Sequence, residues 1–151
     1  MRQNIRLTRR LSLAAVLTVA AAIAGPVDPV NKNGMGVAVN GYDVIAYFDQ
    51  GQPVKGTSQF TQVWNGAVWQ FASAEHRDKF AAAPEKYVPQ FGGYCAYAVS
   101  EGHTASIDPE AWKIVDGKLY LNYSKGVQKK WSENQMQRID QANRNWPGLH
   151  K

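Results

Sequence analysis

Along this 151-residue chain the apolar positions fall into short runs separated by glycine, proline and asparagine, and their spacing predicts alternating hairpins and helices. Val44 to Phe48 is rich in β-formers and reads as a buried strand. Phe60 to Trp64 and Val68 to Phe71 flank Asn65-Gly66, a dipeptide that tolerates the positive φ angles of a tight turn, so a hairpin is expected there. Ser73 is placed to cap a helix that carries His76 and Phe80 on one face and stops before Pro84. Tyr94 to Glu101 reads as a second short helix closed by Gly102. Trp112 to Val115 and Leu119 to Tyr123 surround Asp116-Gly117 and predict a second hairpin. Val127, Trp131, Ile139, Ala142 and Trp146 then recur at helical spacing, which predicts a long amphipathic C-terminal helix. The expected fold class is α+β, a small antiparallel sheet with hairpins packed by short helices and that long C-terminal helix.

The front of the chain follows a different rule. Arg2, Arg6, Arg9 and Arg10 precede an apolar run from Leu11 to Ala24 that closes in small side chains ahead of Gly25-Pro26, the layout of a cleavable secretory signal. A run this short falls below the roughly 20 apolar residues that span a membrane as a helix, so no stable membrane anchor is expected after cleavage. Thr8-Arg9-Arg10-Leu11-Ser12-Leu13 also resembles a twin-arginine signal, leaving Sec or twin-arginine export to a periplasmic or secreted location. Residues 1–24 are read as the signal, 25–35 as a flexible segment and 36–147 as one domain. No internal repeat stands out.

Charge narrows the partners. The formal net charge is +5, but the leader holds four of the 17 Lys and Arg and none of the 12 Asp and Glu, so residues 25–151 are left near +1. Lys125, Lys129 and Lys130 form only a short cluster, so nucleic acid is not an expected partner. Cys95 is the single cysteine and rules out an intramolecular disulfide. It is either a buried small hydrophobe or a functional thiol.

The run Phe71-Ala72-Ser73-Ala74-Glu75-His76-Arg77-Asp78-Lys79-Phe80, with Pro84-Glu85-Lys86-Tyr87 after it, resembles the YHS domain family. In that family the segment commonly reads Phe-Cys-Ser-x-x-Cys-x-x-x-Phe with a downstream Pro-x-x-Tyr, so Ala72 and His76 stand at the two cysteine positions. The likeness extends from Gly41-Tyr42-Asp43-Val44-Ile45-Ala46-Tyr47-Phe48 through Phe91-Gly92-Gly93-Tyr94-Cys95-Ala96, Asp108-Pro109-Glu110-Ala111-Trp112 and Asp116-Gly117-Lys118-Leu119-Tyr120-Leu121-Asn122 to Asn145-Trp146-Pro147, and is similar to the exported, free-standing branch. It implies a non-catalytic, metal-associated binding protein. Thiolate and imidazole suit copper and zinc, so Cys95 with His76 or His103 is the candidate metal site, copper first and zinc second, with Met35 as a further donor to copper. Haem is a further cofactor class, although no Cys-x-x-Cys-His motif is present.

Two other classes compete. A metal-free binding module would use Tyr42, Asp43, Tyr47, Tyr94 and Tyr97 around a small-ligand pocket or a protein contact. A thiol redox protein would need a base or cation beside Cys95, and no motif supplies one.

Overall fold

Asn65 and Gly66 adopt φ of 49° and 74°, and Asp116 and Gly117 adopt 51° and 73°, the paired left-handed geometry that closes a two-residue hairpin with the native strand twist. The computed structural model describes residues 25–151, so the expected signal and its arginine pair lie outside the described residues. The first hairpin joins β1 (Thr57–Trp64) to β2 (Ala67–Phe71) and the second joins β3 (Asp108–Val115) to β4 (Lys118–Asn122). Each forms its own two-stranded antiparallel sheet. Before and after them run the helices α1 (Val44–Asp49), α2 (Ala74–Ala82), α3 (Pro84–Tyr87), α4 (Ala96–Ser100), α5 (Lys125–Glu133) and α6 (Gln135–Asn145), giving the expected α+β class. The long helical tail is articulated at Asn134, whose φ of −132° and ψ of 45° separate α5 from α6. Among the described residues no helix is long and apolar enough to cross a membrane.

The order of these elements is a tandem repeat that the side-chain pattern conceals. β1, β2 and α2 begin at 57, 67 and 74, and β3, β4 and α5 begin at 108, 118 and 125, each 51 positions later and each of equal length to its counterpart. The pairing registers match as well: Thr57 with Phe71 and Thr61 with Gln70 in one half, Asp108 with Asn122 and Trp112 with Leu121 in the other, with the same irregularity between them. Ser73 and Ser124 cap the two helices by accepting from the amides of His76 and Val127. Ala83 and Asn134 break the chain at equivalent points before α3 and α6. Even the core stacks correspond, with Trp69 against Phe80 and Tyr120 against Trp131 both at 5.4 Å between ring centres. Each half is therefore one copy of a turn–helix–hairpin–helix–helix unit.

Two further expectations are corrected. Val44 to Phe48 is helical, because the Asp43 carboxylate accepts from the amides of Ile45 and Ala46 and so starts α1, a capping contribution that overrides β propensity. Residues 25–35 are stitched into the fold instead of lying loose. Val27 pairs with His150, Lys32 pairs with Ala38, and Asn31 donates to the carbonyls of Gly92 and Gly93, while Val30 is buried. Gly92 is required there, since a Cβ on its left-handed backbone would collide with the Pro29 carbonyl.

The buried core runs through both halves. Tyr47, Trp69, Phe71 and Phe80 fill the first, and Phe91, Val99, Tyr120 and Trp131 fill the second. Each aromatic or aliphatic side chain removed from water at these positions contributes about 1.5–3 kcal/mol.

Candidate functional site

Asp43 anchors the first half from a fully buried position. One carboxylate oxygen accepts from Ile45 and Ala46, and the other accepts from the Ala72 amide at 2.9 Å and from His76 Nδ1 at 2.6 Å. An ionised carboxylate can only accept, so Nδ1 is the donor of that last bond, which leaves Nε2 as the ring nitrogen not engaged by Asp43. Nε2 has no hydrogen-bond partner among the described residues and is not one of their buried unpaired polar atoms, so it reaches the surface from a side chain that is only 12% exposed. The Ser73 cap fixes the backbone of His76, and Asp43 fixes its ring.

The equivalent place in the second half is filled by different chemistry. Cys95 stands before α4 as Asp43 stands before α1, and its sulfur accepts from the Tyr123 amide at 3.2 Å just as Asp43 accepts from Ala72, 51 positions earlier. The extra residue of the turn Gln90–Gly93 over Val39–Gly41 shifts Cys95 by one relative to Asp43, and the shorter α4 restores the register by Gly102. Val127 occupies the position of His76. Cys95 is 1% exposed, the other polar contact of its sulfur among the described residues is Asn122 Oδ1 at 3.6 Å, and that oxygen also accepts from the Tyr97 amide.

The three expected ligands are thus distributed over three environments. Cys95 is sealed in the core with an amide and a carboxamide and has no imidazole among its polar contacts. His76 is held by Asp43. His103 is exposed beyond the end of α4, where its amide donates to Ala98. Met35 is 83% exposed. Among the described residues no three His, Cys, Asp or Glu side chains gather closely enough to hold an ion. As a donor set for one shared ion, Cys95, His76 and His103 do not fit; as a single imidazole ligand, His76 does, because a carboxylate behind the second ring nitrogen is the usual support of a metal-binding histidine.

The tyrosines expected around a ligand pocket are committed elsewhere. Tyr47 is buried and donates to the Pro109 carbonyl at 2.8 Å, and burial, then the neighbouring Tyr42, Glu110 and Asp108, push its hydroxyl far above the ordinary tyrosine range. Tyr94 donates to the Asp28 carbonyl and is also raised, by burial first and Asp28 second. Tyr97 lies beneath the Arg138 guanidinium at 4.0 Å. A cleft of about 250 Å³ opens instead where the first hairpin meets the C-terminal end, walled by Trp64, Trp69, Phe91, Trp146 and His150. His150, stacked on Trp146 at 4.3 Å, had no signal in the sequence beyond being one of three histidines.

Compared with protein-family models, with characterised proteins and with solved structures, the chain shows no significant match.

Proposed function

We propose that this chain is an exported, metal-associated binding protein on a YHS-like scaffold, non-catalytic, in which His76 Nε2 is the protein's donor to copper first and zinc second. One observation carries the reading. The second half builds the same hairpin and serine-capped helix with Cys95 and Val127 in place of Asp43 and His76, and no side chain caps α4 as Asp43 caps α1, so the imidazole of the first half is not demanded by the shared architecture. The cost of burying Asp43 is offset by the four hydrogen bonds it accepts, and the one from His76 orients the ring with its second nitrogen outward.

A bound ion would supply a Lewis-acidic centre with positions open to a further donor from outside the protein. The chain's own contribution is orientation: Asp43 holds the ring through the Nδ1 hydrogen bond with Nε2 turned away from it, and Cys95 lies outside the site. Calorimetric titration of the purified protein with copper(II) and with zinc tests it. One ion per chain is expected, lost in His76→Ala and retained in Cys95→Ser and His103→Ala. Unchanged binding in His76→Ala, or no binding by the native chain, overturns the reading.

A further inference from the structure

The cleft between the first hairpin and the C-terminal segment is separate from His76, and its lining has a specific chemistry. Trp64, Phe91, Trp146 and His150 supply flat apolar surface. Asn65, Gln90 and Asn143 add three carboxamides that have no hydrogen-bond partner among the described residues, those of Asn65 and Asn143 being exposed. The indole N–H groups of Trp64 and Trp146 are likewise unpaired and not buried, whereas that of Trp69 donates to the Trp64 carbonyl. Among the described residues no Asp, Glu, Lys or Arg lines the cleft.

Two of the lining residues are held at left-handed φ, Phe91 at 57° and Asn65 at 49°, as are their counterparts in the other half, Asn40 at 58° and Asp116 at 51°, so this backbone belongs to the repeat and only the side chains differ. Asparagine tolerates that region through its short polar side chain, but phenylalanine pays about 1–2 kcal/mol to occupy it. Pro29 and Asn31 pack over the neighbouring Gly92 and Gly93, and the Phe91 ring, largely buried, forms the floor of the cleft. The repeat supplies an internal comparison. In the second half Val115 and Asp116 stand where Trp64 and Asn65 stand in the first, so the aromatic ring and neutral amide belong to this cleft and are not demanded by the hairpin.

We propose that this cleft binds a neutral saccharide of one or two rings. Carboxamides present a donor and an acceptor side by side, which matches vicinal hydroxyl groups that are each both donor and acceptor. Aromatic faces pack against the C–H face of a sugar ring, and the indole N–H groups add donors at its edge. The absence of charged side chains leaves nothing to compensate a carboxylate or phosphate on the ligand, so a charged sugar loses its hydration without gaining a partner. About 250 Å³ lies just under the roughly 300–1,000 Å³ of drug-sized ligand sites, in keeping with a small occupant.

The test is a ¹⁵N-resolved titration of the protein with glucose, galactose, N-acetylglucosamine and their β1,4-linked dimers, with glucuronate and with uridine. Saturable shifts of the Trp64 and Trp146 indole signals and of the Asn65, Gln90 and Asn143 side-chain amides by at least one neutral sugar are expected. Asn143→Ala and Gln90→Ala should each weaken that binding about fivefold, the usual consequence of one lost hydrogen bond. Glucuronate should bind more weakly still, and His76→Ala should leave sugar affinity unchanged, which separates this site from the imidazole. The proposal is overturned if no neutral sugar moves these signals, if uridine or glucuronate binds in preference, or if the two amide variants bind as the native chain does.

Discussion

Replacing Asp43 with alanine removes the acceptor of four hydrogen bonds at once, and the structure sets the expected loss. Ile45 and Ala46 lose their N-terminal cap, which costs about 1 kcal/mol. The Ala72 amide, part-buried where β2 gives way to α2, is left without a partner at a further cost of about 1–3 kcal/mol. Asp43→Ala should therefore destabilise by about 2–4 kcal/mol, a large part of the 5–15 kcal/mol typical of a domain. At about 4 °C per kcal/mol for a chain of this size, the melting temperature should fall by roughly 8–16 °C. His76→Ala is the informative contrast. It removes one bond from a carboxylate that keeps three backbone donors, so it should cost about 1 kcal/mol or less. Urea titration of both variants, read as a shift of midpoint at constant slope, gives the two numbers. If His76→Ala costs as much as Asp43→Ala, the imidazole is a structural latch, and the inference drawn from its absence in the second half is refuted.

Other outcomes follow from the same geometry. Val127→His places an imidazole beside Cys95 as His76 lies beside Asp43, so zinc should raise the melting temperature of this variant by several degrees more than that of the native chain, by ligand linkage; an identical zinc response would show that the two positions are not equivalent. Gly92→Ala puts a Cβ into the Pro29 carbonyl and should cost about 2 kcal/mol or more in urea, whereas Gly117→Ala, at left-handed φ with open space around it, should cost about 1 kcal/mol. The pH prediction concerns the raised tyrosines. Tyr47, Tyr94 and Tyr120 have hydroxyls whose folded-state pKa lies above the ordinary value of 10.0 because burial disfavours the phenolate. Their contribution to stability is fully present below about pH 10 and is lost as pH rises toward the folded values, since the unfolded chain ionises first. Urea midpoints should accordingly fall between pH 10 and 12, with phenolate absorbance at 295 nm rising in step with unfolding; a pH-independent midpoint across that window contradicts the assigned burial.

Turn chemistry made both hairpins legible, because Asn65-Gly66 and Asp116-Gly117 demand left-handed backbone and the flanking runs have strand composition. Ser73 likewise marks α2, and with it the position of His76. What remained hidden depends on contacts distant in sequence. The carboxylate behind His76 comes from 33 residues upstream, and the groups around the Cys95 sulfur come from 27 and 28 residues downstream, so composition around each residue carries no trace of either. Asp43 also reversed the expected strand at Val44 to Phe48, since one side chain supplying two cap bonds outweighs the few tenths of a kcal/mol by which β-branched residues disfavour a helix. The tandem repeat is masked in the sequence for a related reason. Identity between the halves survives mainly at punctuation, Gly41 with Gly92, Gly51 with Gly102, Gly66 with Gly117 and Ser73 with Ser124, while core positions exchange one large side chain for another, as Phe80 does for Trp131. Spacing of the glycines, read at an offset of 51, was the signal available.

His76 is held by Asp43 through Nδ1 and offers Nε2 outward. Long-range ¹⁵N spectra of the imidazole nitrogens, recorded before and after adding zinc, address it. A protonated Nδ1 unaffected by zinc, with an Nε2 resonance that shifts on addition, is the predicted result. A ring protonated at Nε2, or an Nε2 resonance that ignores zinc, would contradict it.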